Sequence, residues 1–383
     1  MKKIFVIIFA LIMLTSCNSE KQEAPKKTEQ NDIIRGVWIY YNELSMKNEE
    51  GGTAESFKNK ISSIFYDCKQ LGLNTVFVQI RPFADSFYPS EIFPWSEYLT
   101  GKQGWSVNYD PLQIMIDCAE NYGLSFHAWI NPFRVSHNAD ITQLCKNHPV
   151  NRFTDTDEVF MNENGIYFNP AGVEAQKLIL KGIREIVENY DVDGIHIDDY
   201  FYPTTQNDID KKQYQNYVEN GGEFPLEKWR TEIINAFVSA MYRTVKSVNQ
   251  DIIVSISPAG NIDNNYQEQF ADVKLWCSQT GYCDIIIPQI YFGFNHKSLP
   301  FEVAAKQWEK ICVNSDISLI CGIGAYKAVE PQNNETFDCN TIIRQAEIAL
   351  STNRYNGYCL FSYSSLISLR NKTKLSSDAV GKK

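Results

Sequence analysis

The sequence predicts an α/β chain closed into a (β/α)8, or TIM, barrel with long loops on one rim, and three observations carry that prediction. Short, nearly all-apolar runs recur eight times between stretches of helically spaced apolar residues, as a parallel sheet covered on both faces requires. No Gly-x-Gly-x-x-Gly comes after the first of these runs, which removes the main support for an open, doubly wound nucleotide-binding sheet. No Pro/Gly/Ser-rich linker divides the 383 residues, so the chain reads as one barrel behind a leader rather than two domains.

At the N-terminus, Lys2-Lys3 and the apolar run from Ile4 to Leu14 form a signal peptide over residues 1–16, too short to remain as a membrane span. The stretch Leu14-Thr15-Ser16-Cys17 is similar to the lipobox of bacterial lipoproteins, which implies cleavage before Cys17 and lipid on its sulfur. An ordinary secretion signal with a chance cysteine is the alternative. Residues 17–33 are polar and charged and read as a flexible lipidated tether. Residues 34–370 hold the barrel, and 371–383 a polar tail.

The first strand is expected over 35–41, followed by a helix over 54–71 with Phe57, Ile61, Ile64, Phe65 and Cys68 on one face and Gly72 as its stop. The second strand covers 75–81. After a long loop, a helix over 111–122 ends at Gly123 and leads to strand three at 125–131. Another long excursion precedes a helix over 173–190 and the fourth strand, which starts at Gly194. Helices over 228–248, about 268–278, about 302–312 and 341–350 precede strands at 252–258, 284–291, 318–324 and 357–363.

The formal charge of −10 becomes −12 once the leader's lysines are gone. An acidic chain with no Lys/Arg run excludes nucleic acid and a basic peripheral membrane contact as partners. Beyond Cys17, nine cysteines remain. Most sit in apolar helix or strand patterns and read as small buried hydrophobes, although Cys277 and Cys283 are close enough in sequence to bridge. Neither Cys-x-x-Cys nor His-x-x-x-His occurs, so no metal site and no cofactor are expected.

Barrel enzymes carry their sites at the C-terminal ends of the strands, and there this sequence places Arg81, Asn131 with Arg134, Asp198 with Asp199, Ser257, Gln289 with Tyr291, and Ser362. The centre is Gly194-Ile195-His196-Ile197-Asp198-Asp199-Tyr200-Phe201-Tyr202-Pro203. Two acids and three aromatics ending a buried strand suit proton transfer or nucleophilic attack beside a sugar ring. Strand alternation puts His196 and Asp198 on one face and Ile195, Ile197 and Asp199 on the other. The loop 82–109 carries Phe83, Phe87, Tyr88, Phe93, Trp95, Tyr98, Trp105 and Tyr109, either as saccharide platforms or as a small core of its own.

Several blocks in order resemble the glycosyl hydrolase-like 10 family from about residue 34 to about 365. They are Arg35-Gly36-Val37-Trp38, Pro89-Ser90 with Pro94-Trp95-Ser96, Gly101-Lys102, Tyr109-Asp110-Pro111-Leu112, His127-Ala128-Trp129-Ile130-Asn131-Pro132, Asp193 to Tyr202, Ser257-Pro258-Ala259-Gly260 and Pro288-Gln289-Ile290-Tyr291. The resemblance implies a glycosidase-type barrel. Bacterial lipoprotein members resembling this chain act on peptidoglycan strands lacking stem peptides, which implies a lipid-anchored envelope protein of the outer membrane.

The segment Gly194 to Asp198 looks like the fourth strand of amylase-type barrels, whose last aspartate is a nucleophile. It also resembles the chitinase-type motif, in which a substrate acetamido group attacks, but Tyr200 stands where that motif has its acid. The expected roles are Asp198 as nucleophile or base and Asp199 as its partner. Arg81, Trp129, Asn131, Arg134, His196, Tyr200, Tyr202, Ser257, Gln289 and Tyr291 are expected to hold substrate. A general acid is sought from elsewhere among Glu174, Asp85 and Glu43, though Glu174 in the first turn of a helix also suits the helix dipole. A surface hydrolase of dietary or host glycan, and a non-catalytic glycan-binding lipoprotein on the same barrel, are the alternatives.

Overall fold

The structure, a computed structural model, describes residues 33–49, 52–153, 156–330 and 337–380; the expected leader, Cys17 and nearly all of the tether lie outside them. Among the described residues eight parallel strands close into a barrel. Numbered along the chain they are β1 Ile34–Ile39, β2 Thr75–Arg81, β3 Ser125–Ile130, β4 Gly194–Ile197, β5 Ile253–Ile256, β6 Ile285–Ile286, β7 Ser318–Ile323 and β8 Tyr355–Phe361. Each pairs with its sequence neighbours, and β8 closes on β1 through Ile34↔Gly357 to Trp38↔Phe361.

Alternation sorts the strand residues into two cores. Val37, Ile39, Val76, Val78, Phe126, Ala128, Ile195 and Ile197 face outward and pack with the surrounding helices in one continuous apolar shell. Trp38, Phe77, Trp129, Ile287, Ile320 and Cys359 fill the barrel interior. Strand β2 breaks the pattern near its end. Its pairing with β3 shifts register between Gln79 and Arg81, and such a bulge inverts the facing of the residues beyond it. Gln79 faces inward, whereas Arg81 leaves the barrel and lies fully buried against the Phe93 ring, 4.5 Å from its centroid. Gly182 makes room for it, since a Cβ there would come within 2.5 Å of Arg81 Nη1.

The covering helices match the expected spans closely where capping chemistry marks them. The helix Pro111–Tyr122 starts on Asp110, whose carboxylate accepts from Gln113 N–H, carries Pro at its first turn, and stops at Gly123 with φ +60°. Between β5 and β6, the expected single helix is two, Ile262–Gln269 and Val273–Ser278, broken at Phe270 in the left-handed region. The excursion after β3, expected as loop, contains a three-stranded antiparallel sheet of Arg134–Ser136, Val159–Asn162 and Gly165–Phe168. A last helix, Tyr363–Val380, runs through most of the segment expected as a polar tail. The nine described cysteines are all free, so the Cys277–Cys283 bridge is not formed.

The aromatic loop after β2 is chiefly its own core. Phe83, Phe87, Tyr88, Phe93 and Tyr98 are buried, and Trp105 alone of its tryptophans is largely exposed, at 58%.

Candidate active site

At the C-terminal ends of the strands lies a cleft of about 350 Å³ to which every strand contributes. Trp38 and Tyr40 come from β1, Gln79 from β2 and Trp129 from β3; Asp198 and Asp199 follow β4 and Ser257 follows β5. Gln289 and Tyr291 follow β6, Tyr326 follows β7, and Phe361 ends β8.

Asp198 is buried and continues the inward face of β4. Its carboxylate accepts from Trp129 Nε1–H at 3.2 Å, from Asn131 Nδ2–H at 2.7 and 2.6 Å to its two oxygens, and from the Tyr200 backbone N–H at 3.4 Å. Asn131 is itself held, because Gln79 Nε2–H donates to its Oδ1, while Gln79 Oε1 accepts from Tyr41 N–H at 3.2 Å. The amide of Asn131 can therefore offer only its N–H side to Asp198.

Asp199 does not turn to the opposite face as alternation predicts. The strand ends at Ile197, so the period of two lapses, and both acids enter the same cleft. Asp199 Oδ1 accepts from Gln289 Nε2–H at 3.1 Å, and the same amide donates to the Ser257 carbonyl at 3.0 Å. Burial lifts Asp198 to about 7, with the Asp199 charge adding to the rise and Asn131 opposing it. Burial lifts Asp199 as well, against its hydrogen bonds. Two such groups side by side hold one proton between them near neutrality. When the shared proton sits on Asp199, the donors around Asp198 stabilise the charge left there.

His196 is the strut under the floor rather than part of the lining. Its Nε2 accepts from Trp38 Nε1–H at 2.9 Å and lies 3.1 Å from Ser257 Oγ, while Nδ1 lies 2.8 Å from Ser255 Oγ. A ring that accepts at Nε2 carries its proton at Nδ1, and burial holds its pKa well down, so it stays neutral. Arg134 lies in the wall, its guanidinium 4.6 Å from the Tyr200 ring and 4.8 Å from that of Phe83. Tyr291 stacks on Phe361 with centroids 6.1 Å apart.

Several expected site residues are elsewhere. Arg81 is turned outward by the β2 bulge. Tyr202 is buried in the wall, where its hydroxyl donates to Asp210 Oδ2 at 2.9 Å beside the buried Arg230–Asp210 ion pair. Glu174 sits on an exposed helix turn, ion-paired to Lys177 at 2.7 Å, so the dipole reading holds for it rather than catalysis. Glu43 is spent on the backbone, accepting from Tyr40 and Ser364 N–H. Asp85 lines a different cavity, and Ser362 shares its hydroxyl with Ser364 and Ser365. Sequence reasoning missed Trp38, Tyr40, Tyr41, Gln79, Tyr326 and Phe361. Gln79 had a usable signal, a lone amide inside Val76-Phe77-Val78-Gln79-Ile80.

The structure is a closed parallel barrel whose acid pair and aromatic walls gather at its C-terminal rim. The chain belongs to the glycosyl hydrolase-like 10 family, which it matches over residues 33–338. Residues 1–18 match the prokaryotic membrane lipoprotein lipid attachment site. Among its relatives, glycosyl hydrolase YngK of Bacillus subtilis is 34% identical over 80% of this chain, which spans only 62% of that protein's length. Glycosyl hydrolase DigH of Escherichia coli K12 is 30% identical, with 86% of this chain and 84% of that protein covered. In fold the chain is similar to the PgaB (BpsB) glycoside hydrolase domain from Bordetella bronchiseptica, with TM-score 0.59 at 11% identity over 90% of this chain and 98% of that one. It is also similar to α-L-fucosidase isoenzyme 2 from Paenibacillus thiaminolyticus, with TM-score 0.55 at 14% identity over 90% and 49%.

Proposed function

We propose that this protein hydrolyses the glycosidic bonds of peptidoglycan strands lacking stem peptides, as a lipid-anchored enzyme of the outer membrane. One observation carries the chemistry. Among the described residues, Asp198 and Asp199 are the only carboxylates lining the cleft, so no acid stands across the scissile bond to act as the second member of a facing pair. A sugar bearing a 2-acetamido group makes that second acid unnecessary, and peptidoglycan is built of such sugars.

In this reading Asp199, holding the shared proton, gives it to the glycosidic oxygen as the C1–O bond breaks. The acetamido carbonyl oxygen closes on C1, and ionised Asp198 takes a hydrogen bond from the acetamido N–H as positive charge develops there. Water then attacks C1, losing its proton to the Asp199 carboxylate and restoring the acetamide. The nucleophile thus moves from Asp198, where the sequence places it, to the substrate. Arg134, Tyr200 and Tyr291 present flat faces to sugar rings at the mouth.

Fragment release from denuded strands, followed by chromatography, tests this. Asp198→Asn and Asp199→Asn should each lose about 10²–10⁴-fold in rate while strand binding survives, and Glu174→Gln should retain full activity. Strands with the acetamido groups removed should be bound without being cut. Wild-type protein that binds strands without shortening them would make this a binding module, and full activity on deacetylated strands would return the nucleophile to the protein.

A further inference from the structure

The loop after β2 and the small antiparallel sheet enclose a second cavity of about 360 Å³, whose lining includes Asp85, Glu97, Gln103, Ser136, His137 and Gln143. Asp85 is only 1% exposed, and its Oδ1 has no hydrogen-bond partner among the described residues. A buried acceptor left unmet destabilises the fold, a cost that a donating ligand would recover. Burial lifts this carboxyl to about 7, against a hydrogen bond from Ser96.

Between the cavity and the catalytic cleft runs a row of flat groups. Arg134 lies between the Tyr200 ring of the cleft, at 4.6 Å, and the Phe83 ring, at 4.8 Å. Phe83 lines the second cavity, with the His137 ring 5.5 Å beyond it. Lys102 and Gln103 line this cavity too, and the Lys102 ammonium lies 4.6 Å from the ring centroid of the exposed Trp105.

We infer that this cavity is a second sugar subsite of the same cleft, taking a further 2-acetamido hexose of a strand whose scissile bond lies at Asp198 and Asp199, with Asp85 Oδ1 accepting from that sugar. The inference rests on the glycan reading above. The mixture of amides, a hydroxyl and a carboxylate around Asp85 offers both donors and acceptors, which matches the alternating hydroxyls and amide of such a sugar. A simple cation would need converging carboxylates, and a phosphate would be repelled by Asp85 and Glu97.

Calorimetric titration with β-1,4-linked N-acetylglucosamine disaccharide and hexasaccharide tests it, on an Asp199→Asn background so that nothing is cut. The hexasaccharide should bind about tenfold or more tighter than the disaccharide. Adding Asp85→Leu should abolish most of that gain and leave disaccharide affinity unchanged. Gln143→Ala, on the exposed side of the same cavity, should do the same and stands in if the buried substitution prevents folding. Hexasaccharide affinity unaltered by both changes, or equal losses for both sugars, would overturn the subsite while leaving the glycan reading intact. A background protein that binds neither oligomer would remove the glycan reading, and the subsite with it.

Discussion

At the scale of single residues, the acid pair sets how stability responds to pH. Burial and mutual repulsion hold the carboxyls of the pair above their ordinary value of 3.8, Asp198 at about 7, so the folded protein holds the proton they share more tightly than the unfolded one. Stability from that proton is complete below about pH 4 and is lost as pH rises towards about 7. Asp198→Asn takes away one carboxyl of the pair and the repulsion between the two, and so reduces the loss. The variant should melt level with wild type near pH 4 and above it near pH 8, by several degrees for a stabilisation of a few kcal/mol. Asp85, lifted likewise, is present in both proteins and cancels from the comparison. Parallel melting curves across that range would mean that Asp198 ionises freely. The sequence points to Asp198 because two acids ending an apolar strand have no use in a core. It misplaces Asp199, because alternation does not extend past the strand's end at Ile197. Asn131 has the look of a sugar ligand in sequence, yet its amide is committed to Asp198. A hydrogen-bond relay from Gln79 has no sequence period and becomes visible only when β2 and β3 lie side by side.

At the scale of elements, hydrophobic period and capping chemistry make most of the barrel legible, and local backbone events hide the rest. The expected strand over 284–291 is regular only at Ile285–Ile286, because Pro288 has no N–H for the ladder, and pairing resumes only as isolated bridges at Gln289. The bulge that turns Arg81 outward leaves no mark in composition. The antiparallel sheet after β3 escapes sequence reading because its strands are three or four residues long, below the length at which alternation can be counted. The aromatic loop divides between its two readings. Phe93→Ala should destabilise by about 3–5 kcal/mol, since Phe93 is buried and also covers the Arg81 guanidinium. Trp105→Ala should leave denaturant stability within about 0.5 kcal/mol. A large loss at Trp105 would place that ring in the loop's core after all.

At the scale of the whole molecule, closure means that eight loops share one mouth while the helices outside carry the stability, so the rim can vary without unsettling the barrel. The lipid attachment site belongs to neither. Cys17→Ser should move the protein from the membrane fraction to the soluble one, and a chain beginning near Asn31 should fold and match the full chain in the fragment-release assay. Membrane association that survives the cysteine change would refute the anchor. β1 begins at Ile34 on the barrel face opposite the cleft. A barrel entered from its base leaves the whole opposite rim to loops, so the first strand's approach never has to cross the mouth through which a substrate would come.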